Sequence, residues 1–197
     1  MRSRQIKEKR LPIIGFDLNG VLADADSKLF ALIKQVFGLN ITNITKYGEA
    51  GHRLAEYINN NARAHAWIRN TVNDPEFILS LEPIPNAVEV WNSLKDVERR
   101  VVSGHENKRE TILATERWLE NHKFTNKADF TKYKDAWCHQ VQAKWLVEDS
   151  PLHAIECSEA GTTVLLLDKI YNKSCEGNDI IRISSLLDIP ALIKESM

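Results

Sequence analysis

The stretch Pro12-Ile13-Ile14-Gly15-Phe16-Asp17-Leu18-Asn19-Gly20-Val21-Leu22-Ala23-Asp24 constrains this chain more than any other. Its apolar run, Ile13 to Phe16, stops at a carboxylate, and Gly20 follows three residues later. This is the pattern of a buried strand delivering an acid to the carboxyl edge of an open α/β sheet, where such folds bind ligands. Gly20 permits a tight turn there, and Val21-Leu22 restores an apolar anchor. A carboxylate at that edge can act as a nucleophile or a metal ligand, and chemistry at phosphate often uses both. An acid after an apolar run is also ordinary strand termination, so the meaning of Asp17 depends on what other strands deliver.

Beyond this strand, Leu29, Ala31-Leu32-Ile33, Val36 and Phe37 recur at helical spacing until Gly38. From Leu39 to about Leu81 no buried strand is evident. A helical stretch places Leu54, Tyr57-Ile58, His65 and Ile68 on one face, and Asp74-Pro75 reads as a helix start. From Glu82 strands and helices alternate. Pro85-Asn86 opens a helix, Arg100–Gly104 is a strand, and Asn107–His122 is a helix. A weaker strand at Asp129-Phe130 is followed by Lys132 and a helix from Lys134 to Gln142. Trp145-Leu146-Val147 is a strand ending in Glu148-Asp149-Ser150, with Pro151 starting the next helix. Thr162–Leu167 and Ile180–Ile183 complete the strands, and Ser184 caps a last helix through Leu192. This alternation predicts a Rossmann-like, doubly wound parallel sheet with right-handed crossovers. The expected organisation is a basic tail at 1–11, an α/β core at 12–24 and 82–197, and a helical insertion at 25–81.

A formal net charge of −1 gives no general attraction to nucleic acid or an anionic membrane. The exception is Arg2, Arg4, Lys7, Lys9 and Arg10 around Glu8, a solvated tail or a nucleic-acid arm. The start lacks the apolar core of a signal peptide, and no stretch approaches about 18 apolar residues. Cys138, Cys157 and Cys175 form no C-x-x-C pair, which fits reduced thiols and a cytoplasmic location.

Four strand ends thus offer Asp17, Ser103, a lysine at 132 or 134, and Glu148-Asp149. In a parallel sheet these share one edge and can converge. Each suits phosphoryl transfer: a carboxylate to attack phosphorus, a hydroxyl and a lysine to hold phosphate oxygens, and paired acids to hold Mg²⁺.

The order Asp17-x-Asn19-Gly20-Val21, Ser103-Gly104, Lys134, Glu148-Asp149-Ser150 resembles the haloacid dehalogenase-like phosphohydrolase superfamily over nearly the whole chain. Asp-Leu-Asn-Gly-Val-Leu-Ala-Asp at 17–24 resembles the opening of its 5′(3′)-deoxyribonucleotidase subgroup. So do Phe77–Ala87 with Leu-Glu-Pro-Ile-Pro, Lys134-Asp-Ala-Trp-Cys138, and Leu167-Asp-Lys-Ile-Tyr-Asn172. The insertion at 25–81 falls where these enzymes carry a cap. The resemblance implies that Asp17 is a nucleophile forming an aspartyl-phosphate. It implies Mg²⁺ held by Asp17, the Asn19 carbonyl and Asp149, with Glu148 a further ligand or an outer partner. Ser103 and the backbone at Gly104 would bind phosphate, and Lys134 would bridge the nucleophile and the phosphoryl group. His105 would touch substrate or only open a helix.

One departure matters. Relatives usually carry Asp where this chain has Asn19, and that Asp protonates the leaving alkoxide and then deprotonates water. An amide cannot take up and release that proton, a loss worth about 10²–10⁴ in rate. Asp24 and Asp26 are substitute acids by position, although Asp24 also suits a linker into the insertion. The expected function is Mg²⁺-dependent hydrolysis of a small phosphorylated substrate, a nucleoside monophosphate, with no membrane or nucleic-acid partner. The alternative is a phosphate- or nucleotide-binding protein of the same fold with little turnover. His65 reads as packed on its helix face. His139 and His153 lack zinc spacing, and Lys46, Tyr47, His52 and Arg53 could face a base or sugar or only solvent. The five tryptophans read as packing, one of them as a possible base-stacking surface.

Overall fold

The computed structural model describes residues 10–42, 49–125 and 127–197, so the basic tail, apart from its last residues, and the candidates Lys46 and Tyr47 lie outside the described residues. The first strand, β1 (Ile13–Asp17), is buried at all five positions. It carries no alternating polar residue because helices cover a central parallel strand on both faces. Its neighbours are β2 (Glu98–Ser103) and β4 (Ala143–Glu148), both parallel to it. Outside these lie β3 (Asp129–Phe130) on one side, and β5 (Thr163–Leu167) and β6 (Ile180–Ile183) on the other. The order β3-β2-β1-β4-β5-β6 winds outward in both directions from β1. The crevice that open α/β sheets use for ligands therefore lies beyond the carboxyl ends of β1 and β4.

Helix α1 (Ala25–Phe37) starts at Asp24, whose carboxylate accepts the Ser27 N–H at 3.2 Å, and ends at Gly38 with φ 72°. Asp24 is thereby committed to capping. The helices α2 (Glu49–Tyr57), α3 (Asn61–Val72) and α4 (Pro75–Leu79) follow. The anticipated single helical face from Leu54 to Ile68 is thus broken. Asn59 adopts φ 49° and the Asn60 carboxamide accepts the Arg63 N–H at 2.9 Å, so the asparagine run ends one helix and caps the next. Asp74 caps α4 as anticipated, accepting from Glu76 and Phe77 N–H at 2.9 and 3.1 Å.

The remaining helices are α5 (Ala87–Ser93), α6 (Arg109–Asn121), α7 (Lys134–Val141), α8 (Pro151–Glu159) and α9 (Ile189–Ser196). The last helix departs from expectation. Ser185, not Ser184, caps a short 3-10 turn at Leu186–Asp188, and the α-helix begins only at Ile189. Ser184 instead donates its hydroxyl to Asp188.

Alternate strand residues feed two cores, one on each face of the sheet. Ile14, Phe16, Trp145, Val147 and Leu165 join a large cluster that also takes in Ile33 of α1, Leu54 of α2 and Ile78 of α4. Ile13, Val102, Leu146 and Val164 join a smaller cluster with Trp137, Cys138 and Cys157. Burying each large side chain contributes about 1.5–3 kcal/mol, which offsets the entropy of ordering the chain. Trp118 of α6, 1 % exposed, donates its indole N–H to the Leu81 carbonyl at 2.8 Å and so ties the segment after α4 to the core. All three cysteines are free and buried. Among the described residues no helix is long and apolar enough to cross a membrane.

Candidate active site

Asp17 is the last residue of β1, Glu148 is the last of β4 beside it, and Asp149 follows directly. One oxygen from each of these three buried carboxylates falls within 4.8 Å of the others. Gly20 makes that approach possible. Its φ is 83°, and a Cβ there would overlap the Asp149 carboxylate. Three acids this close repel one another, and one buried cation answers them. Lys134, 1 % exposed at the start of α7, places Nζ 2.7 Å from Asp17 Oδ1 and 2.7 Å from Glu148 Oε2. Burial pushes this ammonium towards its neutral form, but the two carboxylates outweigh that and raise its pKa above the ordinary lysine value. Burial, then the Asp17 charge, raises the Glu148 carboxyl against the opposing pull of Lys134. Asp149 is raised by burial, then by Glu148 and Asp17.

The acids differ in how they are used. Glu148 spends Oε2 on Lys134 and Oε1 on the Ser150 N–H at 3.0 Å, and it does not line the adjoining cavity. Asp17 and Asp149 do line it. With Lys134 counted, the group keeps two formal negative charges in a buried position, an oxygen donor set that fits a hard divalent cation.

The cavity measures about 500 Å³. At its floor, with Asp17, lie Asn19, Ser103, Gly104, His105 and Lys134. Ser103 is buried, and its hydroxyl accepts the His105 N–H at 3.2 Å. Lys132 also reaches the cavity but is exposed, so it is Lys134 that the fold buries against Asp17. Leu29 and Phe30 from α1, and Ile68 and Val72 from α3, give the upper wall an apolar character. No tryptophan lines the cavity; the aromatic packing is elsewhere, as in the Phe16–Trp91 pair with centroids 5.2 Å apart.

Asn19 has a partner that the sequence pattern did not show. Its amide nitrogen lies 2.8 Å from Nε2 of His105. An amide N–H only donates, so Nε2 accepts, and the ring proton sits on Nδ1, which donates to Thr115 Oγ1 at 3.1 Å. Burial lowers the His105 pKa to about 4, Lys134 adds to this, and Asp17 opposes it. The Asn19 carboxamide oxygen is buried with no hydrogen-bond partner.

Tyr171 is a second residue that sequence reasoning left without a role. Its hydroxyl donates to Asp149 Oδ2 and lies 3.3 Å from Asp26 Oδ2. The signal available was its place in the Leu167–Asn172 stretch, just past the end of β5. Asn172 beside it is fully buried and donates to the carbonyls of Asp149 and Leu167 at 2.8 and 2.9 Å, which locks this loop onto the β4 end.

Other candidates are less central. His65 is exposed and lines the cavity rather than packing in the core, with its ring 5.6 Å from that of His52. Arg53 donates to the Thr42 carbonyl at 2.5 Å. His139 is exposed on α7, and His153 lines the cavity with Nδ1 3.3 Å from Glu156.

The same architecture recurs in solved structures of low sequence identity. A haloacid dehalogenase family hydrolase from Deinococcus radiodurans R1, solved with bound phosphate and sodium, superposes with a TM-score of 0.62 at 16% identity. The alignment covers 96% of this chain and 97% of that one. A predicted phosphatase from Clostridium acetobutylicum gives 0.63 at 14% identity, covering 95% and 100%. The L-2-haloacid dehalogenase of Xanthobacter autotrophicus, with chloropropionic acid covalently bound, gives 0.62 at 12%, also covering 95% and 100%. No curated protein sequence matches the chain. Residues 11–196, however, match the profile of the family described as 5′ nucleotidase, deoxy (Pyrimidine), cytosolic type C protein. With that match spanning the whole sheet and its flanking helices, the chain belongs to this nucleotidase family, built on the haloacid dehalogenase-like fold.

Proposed function

We propose that this protein is a Mg²⁺-dependent phosphomonoesterase that forms an aspartyl-phosphate on Asp17 and acts on nucleoside monophosphates. The observation that carries this reading is the 2.7 Å contact between the Asp17 carboxylate and buried Lys134, on the floor of a cavity shared with Ser103 and Asp149. Family membership supports phosphomonoester hydrolysis as the general chemistry. The phosphate in the Deinococcus structure fits the same idea for a protein of this fold.

Each residue then has a task. Asp17 attacks phosphorus, and Lys134 orients that carboxylate while drawing on a phosphoryl oxygen. The Ser103 hydroxyl and the N–H at Gly104 hold the other phosphate oxygens. Asp17, Asp149 and the Asn19 carbonyl would hold Mg²⁺, which supplies charge neutralisation on the phosphate oxygens. Glu148 works as the fixed partner of Lys134. Residues 25–81 act as the cap, giving a leaving group its apolar wall and shielding the reaction from water. A wall of Leu29, Phe30, Ile68 and Val72 suits an uncharged, partly apolar leaving group such as a nucleoside, and not a second phosphate.

The test is phosphate release from a panel of monophosphates with and without Mg²⁺, beside Asp17→Asn and Asn19→Asp. Turnover by the unaltered protein that Asp17→Asn and chelation abolish is the expected result. Activity confined to Asn19→Asp would favour the rival reading, a phosphate-binding protein with little turnover. Silence from every variant on every ester would overturn the reading.

A further inference from the structure

We propose that Asp26 performs the proton transfers that Asn19 cannot, protonating the leaving oxygen and then accepting a proton from the attacking water. This rests on the phosphomonoesterase reading above. Attacking and leaving oxygens stand roughly in line across phosphorus. With Asp17 attacking from the sheet edge, the acid for the ester oxygen has to reach the cavity from another element, and α1 supplies one of its walls. Asp26, Leu29 and Phe30 line the cavity from that helix at the spacing of one face.

Several other ionisable groups of the cavity are committed, while His65 and Lys132, which also line it, are exposed to solvent. Asp17 and Lys134 hold each other, both ring nitrogens of His105 are engaged, and His153 lies against Glu156. Asp24, the other acid in this segment, caps α1. Asp26 differs because Tyr171 faces two carboxylates with one hydroxyl proton. That hydroxyl lies closer to Asp149, so it gives Asp26 only the weaker of its two contacts. Burial favours the protonated form, raising this carboxyl above the ordinary aspartate value. Lys169 and the Tyr171 hydroxyl pull the other way, and Asp24 adds to the rise.

The steps balance. An Asp17 oxygen bonds to phosphorus as the ester P–O bond breaks, and the departing oxygen takes the Asp26 proton to leave as an alcohol. Water then bonds to phosphorus, its proton passes to the Asp26 carboxylate, and the Asp17–phosphorus bond breaks to release phosphate. Tyr171 is a positioning residue that holds the Asp26 carboxyl in place.

The experiment compares Asp26→Asn with the unaltered chain, in Mg²⁺, on a nucleoside 5′-monophosphate and on 4-nitrophenyl phosphate. Nitrophenolate leaves without protonation; an alkoxide does not. Asp26→Asn should lower kcat on the nucleotide by about 10²–10⁴-fold. On 4-nitrophenyl phosphate it should release a burst of one nitrophenolate per protein and then turn over slowly, as the aspartyl-phosphate waits for a base. Asp26→Glu should recover part of the nucleotide rate, and Asp17→Asn should show no burst. An Asp26→Asn protein with unchanged kcat on both esters, or with a change confined to KM, overturns the assignment and leaves Asp26 a spectator or a recognition group. An unaltered protein that cleaves neither ester defeats the phosphomonoesterase reading itself, and this inference with it.

Discussion

The Asn19 amide donates to Nε2 of His105 across 86 residues of sequence, at 2.8 Å, and Thr115 accepts from the other ring nitrogen. Asn19 of this pair stands two residues beyond Asp17, at the end of β1. It fixes a neutral imidazole, because a protonated Nε2 would point its hydrogen at the hydrogens of the amide.

A pH dependence of stability follows. Unfolded His105 takes a proton near 6.5, whereas the folded residue resists until about 4. The unfolded state therefore binds the extra proton between those values, and stability from this site falls as pH drops. Between pH 7 and 5 the loss is about 2 kcal/mol. Glu148 and Asp149, raised in the folded state, act in the opposite direction, so the comparison must be with a variant that keeps them. Urea unfolding of His105→Gln at both pH values should show a smaller acid loss than the unaltered protein. Equal losses would refute the assignment.

Lys134→Met removes the one cation between Asp17 and Glu148. Stranding buried charges in this way costs about 3–5 kcal/mol at neutral pH. With the Glu148 and Asp149 carboxyls raised in the fold, the folded state takes up protons there first on acidification, so the deficit should shrink towards pH 5. Denaturant midpoints across that range provide the check, and phosphatase activity should be lost at every pH.

Gly20→Ala places a methyl group at φ 83° and against the Asp149 carboxylate. The strain destabilises the fold by more than about 1 kcal/mol, and the displaced carboxylate weakens any divalent cation site. Calorimetric Mg²⁺ titration should show weaker binding than in the unaltered protein. Undiminished Mg²⁺ affinity would mean that Asp149 is not a ligand.

Asn172→Ala deletes donors to the Asp149 and Leu167 carbonyls and acceptors for the Lys169 N–H and Arg182. Each buried group left unpaired costs about 1–3 kcal/mol. Thermal unfolding should shift down by several degrees, and the loop carrying Tyr171 should exchange amide hydrogens faster. Unchanged exchange there would show that the loop is held by other contacts.

The sequence by itself determined the strands, their order of chemistry and the edge they share. Ile13–Phe16, Trp145–Val147 and Thr163–Leu167 are short apolar runs whose ends are marked by acids and glycine, and those are local signals. Asp17, Ser103, a lysine at 132 or 134, and Asp149 could be placed together because parallel strands send every carboxyl end to one side, and only the fold selects Lys134. Local pattern misled where one residue decides the chain's direction, as at Asn59-Asn60, where a left-handed turn and a cap split one apparent helical face into two. Only the tertiary structure paired Asn19 with His105, set Tyr171 between Asp149 and Asp26, and turned Glu148 towards Lys134. Those contacts depend on the register of strands and on how helices far apart in sequence pack against them. Hydrophobic periodicity specifies which face is buried, but it carries no information about which polar atoms meet once the faces close.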